Sequence, residues 1–360
     1  MRTRKVPTVV SQETSPPNSL PLIRNSPKVT FTWPQALLGI CALYLVHVLL
    51  SDHSNVTLHE DSMGIEHTNQ KTSPSTPDSH PVYYSRFRGD RSGAAIQDML
   101  MCHAYLFARN VTYGGACGTS KHVQNVELLL NTYGLSQLLP LACPSDGINS
   151  SYIIDWNDYL LNQKKDTVHL TTEWQFHIAP YIRYPDPPPS FASVYTVVVH
   201  IRRGDVNPCC WPRRYIPNAY YQKLIDMYVS SQKTKYQVII FTESTQFETM
   251  DDFVRKKYHV IVGGDLVTAW RHMMSADVLI LSKSSFSFVP AILASTHKNK
   301  TRIVYTPFWH SPLPGWDVVT SKEMDRFLKQ ERKRLIQQSC TAAIMEHCEN
   351  EKETKKKLFS

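Results

Sequence analysis

The sequence predicts an α/β protein in which a βαβ unit and a doubly wound α/β domain follow an N-terminal transmembrane helix and a stem. Three observations carry this reading. β-Branched apolar runs alternate with helical patterns from Val194 to Tyr305. A shorter strand–glycine–helix–strand pattern occupies Val82 to Gly115. An apolar run, Phe31 to Leu50, precedes both.

That run of about 20 residues is long enough, as a helix, to cross roughly 30 Å of hydrocarbon. Arg2, Arg4, Lys5, Arg24 and Lys28 stand before it and Asp52, Glu60, Asp61 and Glu66 after it. The positive flank stays cytosolic, so residues 1–30 read as a cytosolic tail, 31–50 as a signal-anchor and the rest as luminal. A cleaved signal peptide is the alternative, but the run starts late and exceeds the usual apolar region of one. Sequons at Asn55, Asn110, Asn149 and Asn299 all fall on the luminal side. Residues 51–80, rich in Ser, Thr, Pro and His without apolar periodicity, read as a flexible stem.

Residues 81–190 form the first predicted lobe. A strand at Val82–Phe87 leads through Gly89 to Gly93 into a helix with Ile96, Met99, Leu100, His103 and Leu106 on one face. A second strand follows at Val111–Tyr113, ended by Gly114 and Gly115. The unit has the size of a βαβ crossover but lacks the G-x-G-x-x-G spacing of a dinucleotide site. Val126–Leu139 reads as helical, Trp174–Ile182 is ambiguous, and Pro185–Pro189 reads as a linker.

The second lobe spans residues 191–320. Val194–His200 has the continuous apolar pattern of a strand buried on both faces. Strands at Val238–Phe241, Val260–Val262, Val278–Leu281 and Ile303–Tyr305 alternate with helices at Tyr220–Val229, Met250–Lys257, Leu266–Ser275 and Phe286–Leu293. Such a doubly wound sheet binds ligands at the carboxyl ends of its strands. Thr320-x-x-Glu323 reads as a capping box opening a C-terminal helix and basic tail, residues 321–360.

The chain of 360 residues carries a formal charge of +8, but much of the excess sits in terminal runs such as Lys355–Lys357. Such runs are usually solvated, so nucleic acid is not an expected partner. Seven of the eight cysteines lie beyond the apolar run and none shows CxxC spacing, which points to disulfides in an oxidising lumen. An odd count leaves at least one thiol free or paired with another chain, and adjacent Cys209 and Cys210 are expected to bridge to separate partners.

Two segments carry chemistry. His200-Ile201-Arg202-Arg203-Gly204-Asp205 stands where a buried strand ends, and its cations suit charge-assisted bonds to a diphosphate. The alternative there is a surface ion pair between Arg203 and Asp205. Ala276-Asp277 opens a second strand, which runs through Ser282-Lys283-Ser284-Ser285-Phe286 into a helix. That turn places N–H groups and hydroxyls at a helix N-terminus, a natural phosphate site, or else uses Ser285 only as an N-cap.

Together, residues 196–295 resemble the GDP-fucose-dependent fucosyltransferase superfamily, which covers α1,2-, α1,6- and protein-O-fucosyltransferases. Its members pair an H-x-R-R-x-D type motif with a later strand and S-S-F type turn. The resemblance implies a GT-B-like arrangement of the two lobes, with GDP-fucose held by the C-terminal one as donor substrate rather than cofactor. It implies Rossmann-like lobes, a glycan or glycoprotein acceptor and an inverting transfer. No acidic pair with D-x-D spacing follows a strand and cations are at hand for the phosphates, so no metal requirement is expected. The signal-anchor suits a Golgi membrane protein with its catalytic part in the lumen. Arg202 and Arg203 would bind the pyrophosphate, His200 and Asp205 would shape the strand end, and Ser284, Ser285 and the Phe286 backbone would meet the phosphates. Asp277 is the candidate reader of guanine, with a strand-start cap as its alternative. Asp90 and Glu243 are candidate general bases at strand ends, and each has a structural alternative. The family's G-R-x-G-N-Q turn corresponds to Asp90-Arg91-Ser92-Gly93-Ala94-Ala95, which keeps Arg and the second Gly but loses Asn and Gln. Trp309, His310 and Trp316 either border the acceptor cleft or pack the domain edge.

Overall fold

The structure is a computed structural model that describes residues 82–89, 91–144, 153–154, 169–230, 232–297, 301–308 and 310–358. The expected membrane anchor and stem, Asp90, Trp309 and the sequons at 55, 149 and 299 lie outside these residues. Among the described residues no helix is long and apolar enough to cross a membrane. Asn110 is described, exposed, and adopts a left-handed φ of 54° in the turn after the first helix.

The first lobe is built on strand β1 (Val82–Arg86), helix α1 (Ser92–Phe107) and strand β2 (Thr112–Cys117). β1 and β2 are parallel, as a βαβ crossover requires, and β3 (Ile153–Ile154) extends the sheet on the other side of β1. The expected end of β2 at Gly114–Gly115 is wrong. The strand runs on through both glycines, with a register shift opposite Tyr83 and Tyr84. Gly115 has φ +127°, and a Cβ there would collide with the Pro140 carbonyl, so close backbone approach explains the glycine pair that resembles a stop. A Cys117–Cys143 disulfide closes this corner. Helix α2 (Val123–Thr132) stops seven residues before the expected Leu139. Gly134, at φ +75°, turns the chain there and lets it pass against the Tyr181 carbonyl. The ambiguous segment forms α3 (Thr172–Ile178), capped by Thr171, and a 3-10 turn over Ala179–Tyr181.

The second lobe follows the expected alternation. Its strands are β4 (Tyr195–Ile201), β5 (Tyr236–Thr242), β6 (His259–Val262), β7 (Val278–Ile280), β8 (Arg302–Tyr305) and β9 (Asp317–Val318). All pair in parallel in the order β6-β5-β4-β7-β8-β9. Between them run α4 (Asn218–Val229), α5 (Asp251–Arg255), α6 (Leu266–Ser275) and α7 (Ser285–Ser295). The chain leaves β4 toward β5 on one side and later returns to β7 on the other. The switch point therefore lies between the carboxyl ends of β4 and β7.

Strand alternation sends Val197, Val199 and Ile201 into a core beneath α4, while Val198 joins the core shared with α6 and α7. Each of these side chains is fully buried, which stabilises by about 1.5–3 kcal/mol apiece. The second core runs without a break from Leu100 and Met101 of α1 to Phe288 and Val289 of α7, so the two predicted lobes share apolar packing within one compact unit, residues 76–360.

The C-terminal segment forms two helices, α8 (Lys322–Ser339) and α9 (Ala342–Leu358). Ser321, not Thr320, caps α8, its hydroxyl accepting the Met324 N–H at 3.1 Å. Cys209 pairs with Cys340 and Cys210 with Cys348, so the adjacent cysteines do take separate partners. Cys102 is buried and unpaired.

Candidate functional site

The two motifs meet at the switch point because β4 and β7 are neighbours. The Ser282 hydroxyl lies 2.7 Å from His200 Nδ1, and the Phe286 ring stands 5.2 Å from the imidazole. Burial, then the charges of Arg202 and Arg203, push the His200 pKa down to about 3. The side chain is therefore a neutral hydrogen-bonding post that joins the two strand ends.

Arg202 follows His200 on the face toward α7. Its Nε and Nη2 donate to the two Asp205 oxygens at 3.2 and 2.8 Å, and Nη1 donates to the Lys283 carbonyl at 3.4 Å. This fork spans the loops after β4 and β7, in the geometry that also suits a phosphate. Burial raises the Asp205 carboxyl, but the Arg202 hydrogen bond and the charges of Arg202 and Arg91 outweigh it and hold the group below the usual carboxylate range. Burial, then the Arg332 charge, lowers the Lys283 pKa to about 8.

Arg203 does not stand with Arg202 at the strand end. Strand alternation carries it with Ile201 beneath α4, where it is fully buried. Its Nη2 donates to Asn218 Oδ1, the Ile216 carbonyl and Glu248 Oε2, and its guanidinium covers the Tyr215 ring at 4.1 Å. The residue organises the loop instead of facing a ligand. Its backbone N–H donates to Glu243 Oε2 at 2.7 Å.

Glu243 also receives Arg91, at 3.4 Å, and Arg91 reaches Asp205 at 3.5 Å. Arg91 thus crosses from the turn before α1 to both carboxylates of the second lobe. Its only mark in the sequence is as the Arg of the glycine turn. With one oxygen on a backbone N–H and the other facing a guanidinium, Glu243 has the structural role that was its alternative.

The S-S-F turn differs from expectation in one respect. Ser284, rather than Ser285, caps α7, and its hydroxyl accepts the Phe286 N–H at 3.3 Å. That N–H is also covered by α1, since a Cβ on Gly93 would come within 2.8 Å of the Phe286 nitrogen. Ser284 and the Phe286 backbone are therefore occupied internally. Ser285, half-buried at the first position of α7, makes no side-chain hydrogen bond among the described residues.

Asp277 stands at the wrong end of the sheet for a base reader. It precedes β7, and its carboxylate accepts the Thr196 N–H at 2.7 Å at the start of β4. Six residues of strand separate that edge from Arg202, about 20 Å. The strand-start alternative is the correct one. A carboxylate that does stand on the carboxyl edge is Asp265, after β6, where it caps α6 by accepting the Thr268 N–H at 2.7 Å. Its signal in the sequence is only that of a helix cap, an acidic residue directly before a helical pattern, and sequence reasoning misses it as a residue of this edge.

His310 and Trp316 pack inward. The His310 ring lies 5.0 Å from Phe288 and 2.6 Å from the Gln97 amide, and the Trp316 indole donates to Ser295 at 2.8 Å. They fill the edge of the fold rather than bordering a cleft.

Fold and site define a doubly wound parallel α/β domain with a guanidinium fork at its switch point. No protein-family model matches the chain, and no curated protein does. Among solved structures it is similar to POFUT1 in complex with GDP, at 11% identity over 63% of this chain and 98% of that one, with a TM-score of 0.34. It is also similar to the NodZ α-1,6-fucosyltransferase co-crystallised with GDP, at 11% identity over 59% and 92%, TM-score 0.32. A third is TibC, a bacterial iron-containing dodecameric glycosyltransferase from enterotoxigenic E. coli H10407, at 15% identity over 77% of each chain, TM-score 0.39. Likeness at these scores assigns no activity to the chain.

Proposed function

We propose that the protein transfers L-fucose from GDP-fucose to a glycan or glycoprotein acceptor by a single inverting displacement. The observation that supports this best is the junction of the two motifs. The His200–Ser282 contact sets the Arg202 fork between the loops after β4 and β7, where a doubly wound sheet takes its ligand. In this reading the diphosphate takes the guanidinium in exchange for Asp205. Ser285 is the hydroxyl on hand at the α7 terminus. As the acceptor oxygen attacks the sugar C1, the bond from C1 to the β-phosphate oxygen breaks and negative charge grows on departing GDP. A fixed guanidinium stabilises that charge more in the transition state than in the ground state. The acceptor proton passes to a general base, for which Asp90 remains a candidate while Asp205 and Glu243 keep their ion pairs with Arg91. Protein cations carry the phosphate charge, so the transfer proceeds without a divalent metal. The 31–50 run would anchor the enzyme in the Golgi membrane with the catalytic unit in the lumen.

The paired carboxylates favour a second reading, a luminal protein that binds GDP or glycans without turnover. Release of GDP from GDP-fucose, measured with the full chain in detergent on a glycan panel with EDTA, separates the two. GDP-mannose, UDP-galactose and UDP-GlcNAc serve as donor controls and Arg202→Ala as the site control. Fucose-specific release that is lost in the variant upholds the transferase. Binding of donor without release on any acceptor upholds the silent binder, and no binding of GDP-fucose or of any glycan removes both.

A further inference from the structure

The loop from Arg202 to Pro217 is gripped along its middle by the C-terminal helices. Asn207 Oδ1 accepts both the Cys209 and Cys210 N–H groups, at 3.0 and 2.7 Å, which sets the two cysteines in a tight turn. One bridges to Cys340 at the end of α8 and the other to Cys348 within α9. Arg332 of α8 donates to the Tyr215 and Arg213 carbonyls at 2.8 and 3.2 Å. Leu335 of α8 closes an apolar cluster with Val206 and Tyr215.

The grip continues into the site. Tyr215 donates its hydroxyl to Glu248 at 2.7 Å and offers its ring to the Arg203 guanidinium. Glu248 in turn accepts Arg203, whose Nη1 donates to the Arg202 carbonyl at 2.9 Å. An unbroken series of contacts thus runs from α8 through Tyr215 and Arg203 to the backbone of Arg202.

The second bridge adds less global stability than the first. Once Cys209–Cys340 joins residues 131 apart, Cys210–Cys348 closes only the short additional ring between residues 340 and 348. Loop-closure entropy grows with ring length, so the second bridge constrains the unfolded chain less than the first. What it does constrain is the local orientation of α9 on the loop.

We propose that α8 and α9, through the twin bridges and Tyr215, are the positioning device of the diphosphate loop, with Tyr215 the positioning residue for Arg202. This rests on the reading that Arg202 binds the diphosphate. The test uses the full chain with Cys210→Ala/Cys348→Ala, which keeps the first bridge, and separately Tyr215→Phe, which keeps both. Amide exchange over residues 204–217 should rise about tenfold or more while β4 stays protected. The Kd for GDP should rise about tenfold with it, and the donor KM should rise more than kcat falls. A folded variant with unchanged loop exchange and unchanged GDP affinity, whatever its melting temperature, overturns the proposal. Wild-type protein that binds no GDP removes the diphosphate reading, and the exchange contrast then decides by itself whether the helices hold the loop. If the cysteine variant fails to fold, Tyr215→Phe decides the question through the same exchange and affinity readouts.

Discussion

Gly93, at the start of α1, packs directly on the backbone of Phe286 at the start of α7: a Cβ on Gly93 would lie 2.7 Å from the Phe286 Cα. Two effects oppose each other there. Alanine is the better helix former by about 1 kcal/mol, which favours Gly93→Ala. The collision is with backbone rather than a yielding side chain, and overpacking of that kind costs about 1–3 kcal/mol. The collision with backbone outweighs the propensity gain, so Gly93→Ala should destabilise by up to roughly 2 kcal/mol. A higher denaturation midpoint in the variant would mean that α1 can move off α7.

Arg202 and Arg203 should respond oppositely to alanine substitution. Arg203→Ala leaves Glu248 short of its buried cation, although Tyr215 and Asn218 still donate to it. The cost should be about 3–5 kcal/mol, read as a large fall in urea midpoint. Arg202 is mostly buried, but its partner Asp205 is exposed and also meets Arg91, so Arg202→Ala should destabilise less than Arg203→Ala. If the proposed activity holds, kcat/KM should fall about 100-fold or more through the lost charge-assisted contacts. Equal destabilisation by the two substitutions would contradict this division.

That division is legible in the sequence in principle. Side chains alternate along a strand, and Val194–His200 reads as a strand. Carried three residues further, the alternation puts Arg202 with Val198 and His200 on one face and Arg203 with Val199 and Ile201 on the other. Treating the double arginine as one cationic unit loses this. The order of strands and helices after Val194 is legible for the same reason, because each buried strand is apolar throughout and ends at a turn. Asp277 is misassigned because nothing in the motif distinguishes the two ends of a strand as ligand edges; chain direction does, and it places Asp277 at the amino end. The caps are off by one residue at Ser284 and Ser321, since adjacent serines or threonines compete for the same N–H groups. The Arg91 contacts with Asp205 and Glu243 bring together residues more than 100 apart, and no local pattern encodes them.

Asp277→Ala tests the corrected assignment. The substitution leaves the Thr196 N–H at the start of β4 without its carboxylate acceptor. A lost hydrogen bond to a charged group costs about 1.5–3 kcal/mol, so stability should fall by about that amount. GDP affinity should be unchanged, because the residue stands at the far edge of the sheet. A weakened Kd for GDP at unaltered stability would return Asp277 to the ligand site.

His200 and His103 should make the fold sensitive to mild acid. Burial pushes their pKa values down to about 3 and about 4, from about 6.5 in the unfolded chain. As pH falls below about 6.5 the unfolded chain binds a proton at each position while the folded protein does not. Stability therefore decreases with falling pH, by up to about 1.4 kcal/mol per pH unit for each histidine. The loss ends for His103 near pH 4 and for His200 near pH 3, where the folded protein is protonated as well. Urea midpoints measured from about pH 7 to about pH 4.5 should fall steadily, and His200→Gln should reduce the slope by one proton-uptake site, with His103 and the burial-lowered His169 and His272 supplying the remainder. A glutamine side chain at that position can still meet the Ser282 hydroxyl, so the variant tests protonation rather than loss of the contact. Midpoints that stay level over that range would mean that the strand-end imidazole is not held neutral, and that the junction of β4 and β7 admits water.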